Sequence, residues 1–220
     1  MTVRKHKPRK ADATRARLLE RALKLFQKRG IAATTMRDIA KAAGMSLGAA
    51  YYYFPSKDAL IFAYYEDNQA DAERIAAAAT GTPRVRIGAI LHGKLESIRP
   101  YRKMLGAIVQ RLIDPRDPLS AFSAPSRGFR ERGIALFVPP LRDAGLAEGE
   151  AELAAGALWL FLLAAMLVYV SDDSPGERRT HGLVDHTLDL VMPLLPMLAT
   201  PVGKAIVDRV SGALHEAGLV

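Results

Sequence analysis

The chain has 220 residues, half of them hydrophobic, a formal net charge of +8 and no cysteine. That length can bury a sizeable core in one or two domains, and the lack of cysteine excludes a disulfide framework and any thiolate metal site. The charge is lopsided: residues 1–60 hold 14 Lys/Arg against 4 Asp/Glu, and residues 61–220 hold 17 against 19. Basicity on that scale at one end is what a phosphate-binding surface requires.

Residues 1–10, MTVRKHKPRK, are a charge run with almost nothing apolar, expected to be a basic flexible arm. It is either a solvated tail or an arm that meets phosphates or a minor groove through Arg4 or Arg9. No apolar run follows it, so a signal peptide is not expected and a cytoplasmic location fits. From Ala11 the pattern turns helical. Leu19, Ala22, Leu23 and Phe26 share one face, Gly30 closes the helix, and Lys28 and Arg29 suit its C-terminal dipole.

The next stretch, TTMRDIAKAAGMSLGAAYYYFPSK, organises the chain. Thr35 is an N-cap, with Asp38 three residues on completing a capping box, and Ile39, Ala40 and Ala43 form a small apolar face. Gly44 stops this helix and Ser46 caps the next, which begins Leu47, Gly48, Ala49. Two helices so closely joined must cross steeply, the geometry of a helix-turn-helix. Gly48 costs helix stability, which a close approach to another surface would explain. Tyr51, Tyr52 and Tyr53 cannot share one buried face, because successive helix positions point about 100° apart.

This run, from about Arg15 to Leu60, resembles the DNA-binding domain of the TetR family of transcriptional regulators. Leu25-Phe26, Gly30, Thr34-Thr35, Ile39-Ala40, Ala43-Gly44, Ser46, Gly48, Tyr51, Phe54 and Lys57 carry the resemblance. It implies base-edge or nearby contacts from Leu47, Gly48 and Tyr52 in the major groove of double-stranded DNA, with Ser46 starting the recognition helix. It also implies phosphate contacts from Tyr51, Tyr53 and Lys57, and backbone or base contacts from Thr35 and Arg37. Ala50 departs from the family, which more often has a larger apolar residue there.

Ser56 caps a long helix to about Ala79, which the resemblance makes the link between head and body. Thr80 to Pro83 mark the boundary of the body. Helices are expected over 84–99 and 101–113, broken at Pro100, then a long proline-rich loop over 114–126 that could cover a pocket. Further helices are expected over 127–144, disturbed by Pro139 and Pro140, then over 183–198 and 204–217. Leu153 to Val170 is an uncharged run of 18 residues, the lower limit for a membrane span. Acidic flanks argue instead for a helix buried on most sides in a soluble body. The resemblance pairs residues 151–171 and 177–198 with their mates in a homodimer, and a twofold dimer reads a palindromic operator.

The body offers little chemistry. His92, His181, His186 and His215 show no metal-ligand spacing, no glycine-rich phosphate loop follows a strand, and no nucleophile is placed beside a base, so no metal, cofactor or catalytic site is expected. His92, Met104, Trp159, Phe161, Met166 and Met192 are candidates to line an apolar ligand cavity.

The expected fold is all-α. It comprises the arm at 1–10, a three-helix DNA-binding domain at 11–56, a linking helix at 57–80 and a larger ligand-binding and dimerisation domain at 81–220. The expected function is a dimeric repressor released from its operator by a small lipophilic molecule. A constitutive nucleic-acid-binding or architectural protein without an effector is the alternative.

Overall fold

The first helix, α1 (Lys10–Arg29), buries Leu18, Leu19, Ala22, Leu23 and Phe26 along one side and ends at Gly30, whose φ of 81° lets the chain turn back. The computed structural model describes residues 10–198 and 200–216; of the expected basic arm, residues 1–9 lie outside them. Among the described residues there are helices and turns and no strand.

Two short helices, α2 (Met36–Ala42) and α3 (Leu47–Tyr53), pack on each other and, through α2, on α1. The long α4 (Lys57–Ala78) follows, capped by the Ser56 hydroxyl, which accepts from the Ala59 amide at 3.1 Å. It packs along α5 (Pro83–Ile98) and touches α1 at its start. A 3-10 turn at Arg99–Tyr101 leads into α6 (Arg102–Ile113), which also meets α1.

Residues 114–126 form a chain of tight turns rather than an open loop. Leu119, Ser120, Ser123 and Ser126 are buried, and the Ser123 hydroxyl donates to the Pro118 and Ser120 carbonyls. The expected single helix over 127–144 is two: α7 (Arg127–Ala135) and α8 (Val138–Asp143). Pro139 and Pro140 lack the amides that a continuous helix would need, so they sit in the first turn of a new one.

The apolar run lies in α9 (Glu148–Ser171), which packs on α6, α7 and α8. It is buried along one side only. Ala151, Ala155, Leu158, Leu162, Ala165 and Tyr169 face the core, while Leu160, Leu167 and Val168 are 40–49% exposed. By length and composition it could cross a membrane, with a mean hydropathy of 2.3, but such a helix is equally found in soluble cores.

Next come α10 (Arg178–Val191), a 3-10 turn at Met192–Leu194, α11 (Leu195–Leu198) and α12 (Pro201–Glu216). The helix expected over 183–198 therefore starts earlier and breaks at Pro193 and Pro196, for the same reason as at Pro139. At the α9–α10 corner the Asp172 carboxylate accepts from the amides and hydroxyls of Ser174 and Thr180, at 2.7–3.0 Å.

Candidate nucleic-acid interface and ligand cavity

The short connection between α2 and α3 is held by local bonds that the residue types dictate. The Thr35 hydroxyl donates to the Asp38 carboxylate at 2.6 Å and accepts from the Asp38 amide at 3.2 Å; the Thr35 amide donates to the same carboxylate at 2.9 Å. The Thr35 hydroxyl and amide hold the Asp38 carboxyl below the ordinary range. Gly44, at φ 68°, reverses the chain, and the Ser46 hydroxyl then accepts from the Ala49 amide at 3.1 Å to start α3. Only Gly enters that backbone region without a steric cost.

α3 buries Ala50 fully, with Phe54 just beyond it. Its other side faces outwards. Tyr51 is 47% exposed and Tyr52 84%, while Tyr53 is half-buried with its ring edge-on to Tyr52. Gly48 is exposed, and a Cβ built on it would meet nothing within 4 Å, so no internal packing demands glycine there. Leu47 is half-buried; Thr35, Arg37 and Ser46 are exposed. Behind this surface Arg15 lies over the Phe54 ring at 4.7 Å.

Lys57 does something the pattern did not suggest. Its Nζ donates to the Ile31 carbonyl at 2.7 Å, tying the first turn of α4 to the chain after α1. A lysine in a helix's first turn opposes the dipole, and this bond offsets that cost. The ammonium keeps two further donors.

In the body, a cavity of about 310 Å³ lies among α4, α5, α6, α7, α9 and the 114–126 turns. The volume is at the lower end for small-molecule sites. Leu105, Val109, Phe122, Phe129, Leu163 and Val170 contribute apolar wall, and the Trp159 ring meets Phe122 edge-on. Gly133 leaves room for that indole: a Cβ there would stand 2.9 Å from the Trp159 Nε1.

One TetR-family model, for bacterial regulatory proteins, matches residues 18–64. The regulator TtgR of Pseudomonas putida is 37% identical over 34% of this chain and 36% of its own, so the chain spans about a third of that relative's length. BetI of Agrobacterium fabrum is 30% identical over 151 residues, 64% of this chain and 73% of BetI. The chain belongs to the TetR family. A crystal structure of a TetR-family regulator from Streptomyces coelicolor, 18% identical, superposes with a TM-score of 0.63 over 91% of this chain and 89% of that one, which extends the shared fold to the body.

This TetR-family chain brings Thr35, Arg37, Ser46, Leu47, Gly48, Tyr51, Tyr52 and Tyr53 into one short helix pair, with Lys57 just beyond it. The six residues singled out for a ligand pocket are not brought together. Trp159 and Met166 line the cavity; Met104 is buried in the core, and Phe161 and Met192 are half-buried, all three outside the lining. His92 belongs to a different cluster. Its Nδ1 is 2.7 Å from the Nδ1 of His181 and its Nε2 3.1 Å from Asp185, and His181 Nε2 reaches Glu96 at 3.2 Å. These bonds join α5 to α10, away from the cavity. Among the described residues no group of three or more metal-ligating side chains is gathered suitably for an ion.

Sequence reasoning missed Tyr64, Lys94, Arg130 and Gly133, all in the cavity wall. Each sits in an ordinary helical pattern, and only the packing of α4 on α5 and α7, and of those two on α9, sets them around one space.

Proposed function

We propose that this regulator is a homodimeric, sequence-specific repressor that leaves a palindromic DNA operator when a small lipophilic molecule enters the body cavity. The observation that carries the reading is the outer face of α3. Two tyrosines and an uncovered glycine project from a helix whose opposite side is locked into the core, on the basic part of the chain. Leu47, Gly48 and Tyr52 read base edges; Tyr51, Tyr53 and Lys57 meet phosphates; Ser46 starts the recognition helix, and Thr35 and Arg37 reach the backbone or a base.

The dimer reading rests on uncovered apolar surface. On α9, Val168 is exposed beside Leu160 and Leu167, two residues that also line the cavity, and on α10 Leu183 and Leu190 follow at a spacing of seven. Such stripes belong against another helix pair, and a second copy supplies one by twofold symmetry. The domain division at residues 56, 80 and 81 follows the same logic: α4 links a basic head to a nearly neutral body.

Ligand control needs two states that a ligand tells apart. A molecule that lowers DNA affinity must by linkage bind less tightly to the DNA complex. Such a repressor works in the cytoplasm, beside its DNA.

The test is selection of bound fragments from random-sequence DNA at near-physiological salt, followed by sequencing. Enrichment of one imperfect palindrome supports the reading. Salt-sensitive binding with no enriched sequence would replace it with the architectural alternative.

A further inference from the structure

The cavity wall is uneven in charge. Two of its residues are cationic, Lys94 on α5 and Arg130 on α7, and none of the described lining residues is acidic. Neither cation has a carboxylate partner among the described residues. Lys94 Nζ donates to the Asn68 carbonyl at 3.2 Å and Arg130 Nη1 to the Ala121 carbonyl at 3.0 Å. Arginines outside the lining behave otherwise: Arg111 is paired with Asp58 and Asp117, and Arg132 with Glu66 and Glu73.

A third group points the same way. Tyr64 is 5% exposed and lines the cavity, yet its hydroxyl is buried and makes no hydrogen bond. Burial raises its pKa, so the hydroxyl stays protonated and able to donate. Tyr64 and Asn68 are one turn apart on α4, and Lys94 reaches the Asn68 carbonyl, so both lining residues border the same stretch of α4. Burial lowers the Lys94 pKa to about 8, against the pull of Asp71 and Glu73 and with a push from Arg132. The group is thus largely charged at neutral pH while poorly solvated, and an anion would relieve that. Opposite in character, α9 offers Trp159, Leu163 and Met166.

We infer that the cavity accepts an amphipathic organic anion, a carboxylate whose head takes hydrogen bonds from Lys94 and Tyr64 while its apolar body lies against Trp159, Leu163 and Met166. This rests on the reading of the cavity as the effector site and narrows the chemistry of its ligand. A wall with unpaired donors and no acid discriminates against a cation, which would find no counter-charge, and against a neutral chain, which would leave the ammonium unpaired.

The experiment uses three matched probes, decanoate, 1-decanol and decylamine, with the full chain and no DNA. Trp159 is the only tryptophan and lines the cavity, so its fluorescence reports occupancy directly. Decanoate is expected to bind at least about tenfold more tightly than 1-decanol, with decylamine weakest. Lys94→Met should abolish the preference for decanoate while leaving 1-decanol binding intact, which also shows that the variant is folded. Tyr64→Phe should reduce the preference in part. Equal binding of the acid and the alcohol, a preference that survives Lys94→Met, or no binding of decanoate would overturn the inference. The first two results leave a lipophilic effector site standing, so they separate failure of the anion assignment from failure of ligand binding itself.

Discussion

Arg111 grips Asp58 with both arms of its guanidinium: Nη1 and Nη2 each lie 3.0 Å from a carboxylate oxygen, and Nε reaches Asp117 at 2.7 Å. The pair ties the last turn of α6 to the first turn of α4, which is separated from the end of α3 by three residues. Leu112, Ile113 and Leu119 beside it line the cavity. A thermodynamic cycle of Asp58→Ala, Arg111→Ala and the double variant should give a stability coupling of about 1 kcal/mol, because the pair is partly solvated. The single variants should blunt ligand-induced release more than they weaken operator binding. An unchanged ligand response in both would show that this pair does not couple the cavity to the head.

Lys57 and Arg37 should separate by what their loss does. Lys57→Met removes a charge-assisted bond to the Ile31 carbonyl and should cost about 1–2 kcal/mol in a denaturant titration. If its remaining donors also meet a phosphate, the salt dependence of DNA binding should become shallower by about one unit. A lowered stability with an unaltered salt slope would leave it a structural role only. Arg37 is exposed, and Arg37→Ala should leave the melting temperature unchanged. If it contacts a guanine, its DNA affinity should fall by about 1–3 kcal/mol with specificity relaxed at that base pair, measured by anisotropy on single-site operator variants; a loss spread evenly over all sequences would assign it to phosphate instead.

Val168 and Leu190 are 45% and 67% exposed and neither lines the cavity. Val168→Glu combined with Leu190→Glu should therefore give a folded monomer in sedimentation velocity, with operator affinity reduced by loss of the second head. A dimer that persists in the double variant would locate the interface elsewhere.

Asp172 gives a pH dependence with a definite sign. Burial opposes its ionisation, but the bonds from Ser174 and Thr180 outweigh that and hold its carboxyl well below the ordinary 3.8. A lowered folded pKa means that the group's contribution is complete above the ordinary value and is lost as pH falls below it. Acid unfolding should thus steepen below about pH 4, and Asp172→Asn should flatten that limb while lowering stability at neutral pH. A wild-type acid limb matching that of Asp172→Asn would refute the assignment.

Local chemistry was legible in the sequence. Thr35 with Asp38, Gly44 and Ser46 are each a few residues from the groups they satisfy, so spacing alone located α2, its end and the start of α3. The family resemblance then named the outward residues of α3. The cavity was not legible, because it depends on which faces of α4, α5, α7 and α9 meet. His92 was a reasonable polar partner by composition, yet its bonds to His181 and Asp185 cross 89 and 93 residues of chain. Pro193 and Pro196 were visible, but the apolar pattern around them was read through rather than as a break. The exposed stripe of α9 was hidden in a run hydrophobic on every side, where periodicity carries no direction.

The most direct measurement is the affinity of the purified protein for its selected palindrome and for a scrambled duplex of equal length, by fluorescence anisotropy at one near-physiological salt concentration. A preference of at least about a thousandfold is expected, with a large loss of that preference in Tyr52→Ala. Equal affinities for the two duplexes would contradict it, reducing the outer face of α3 to a phosphate-binding surface.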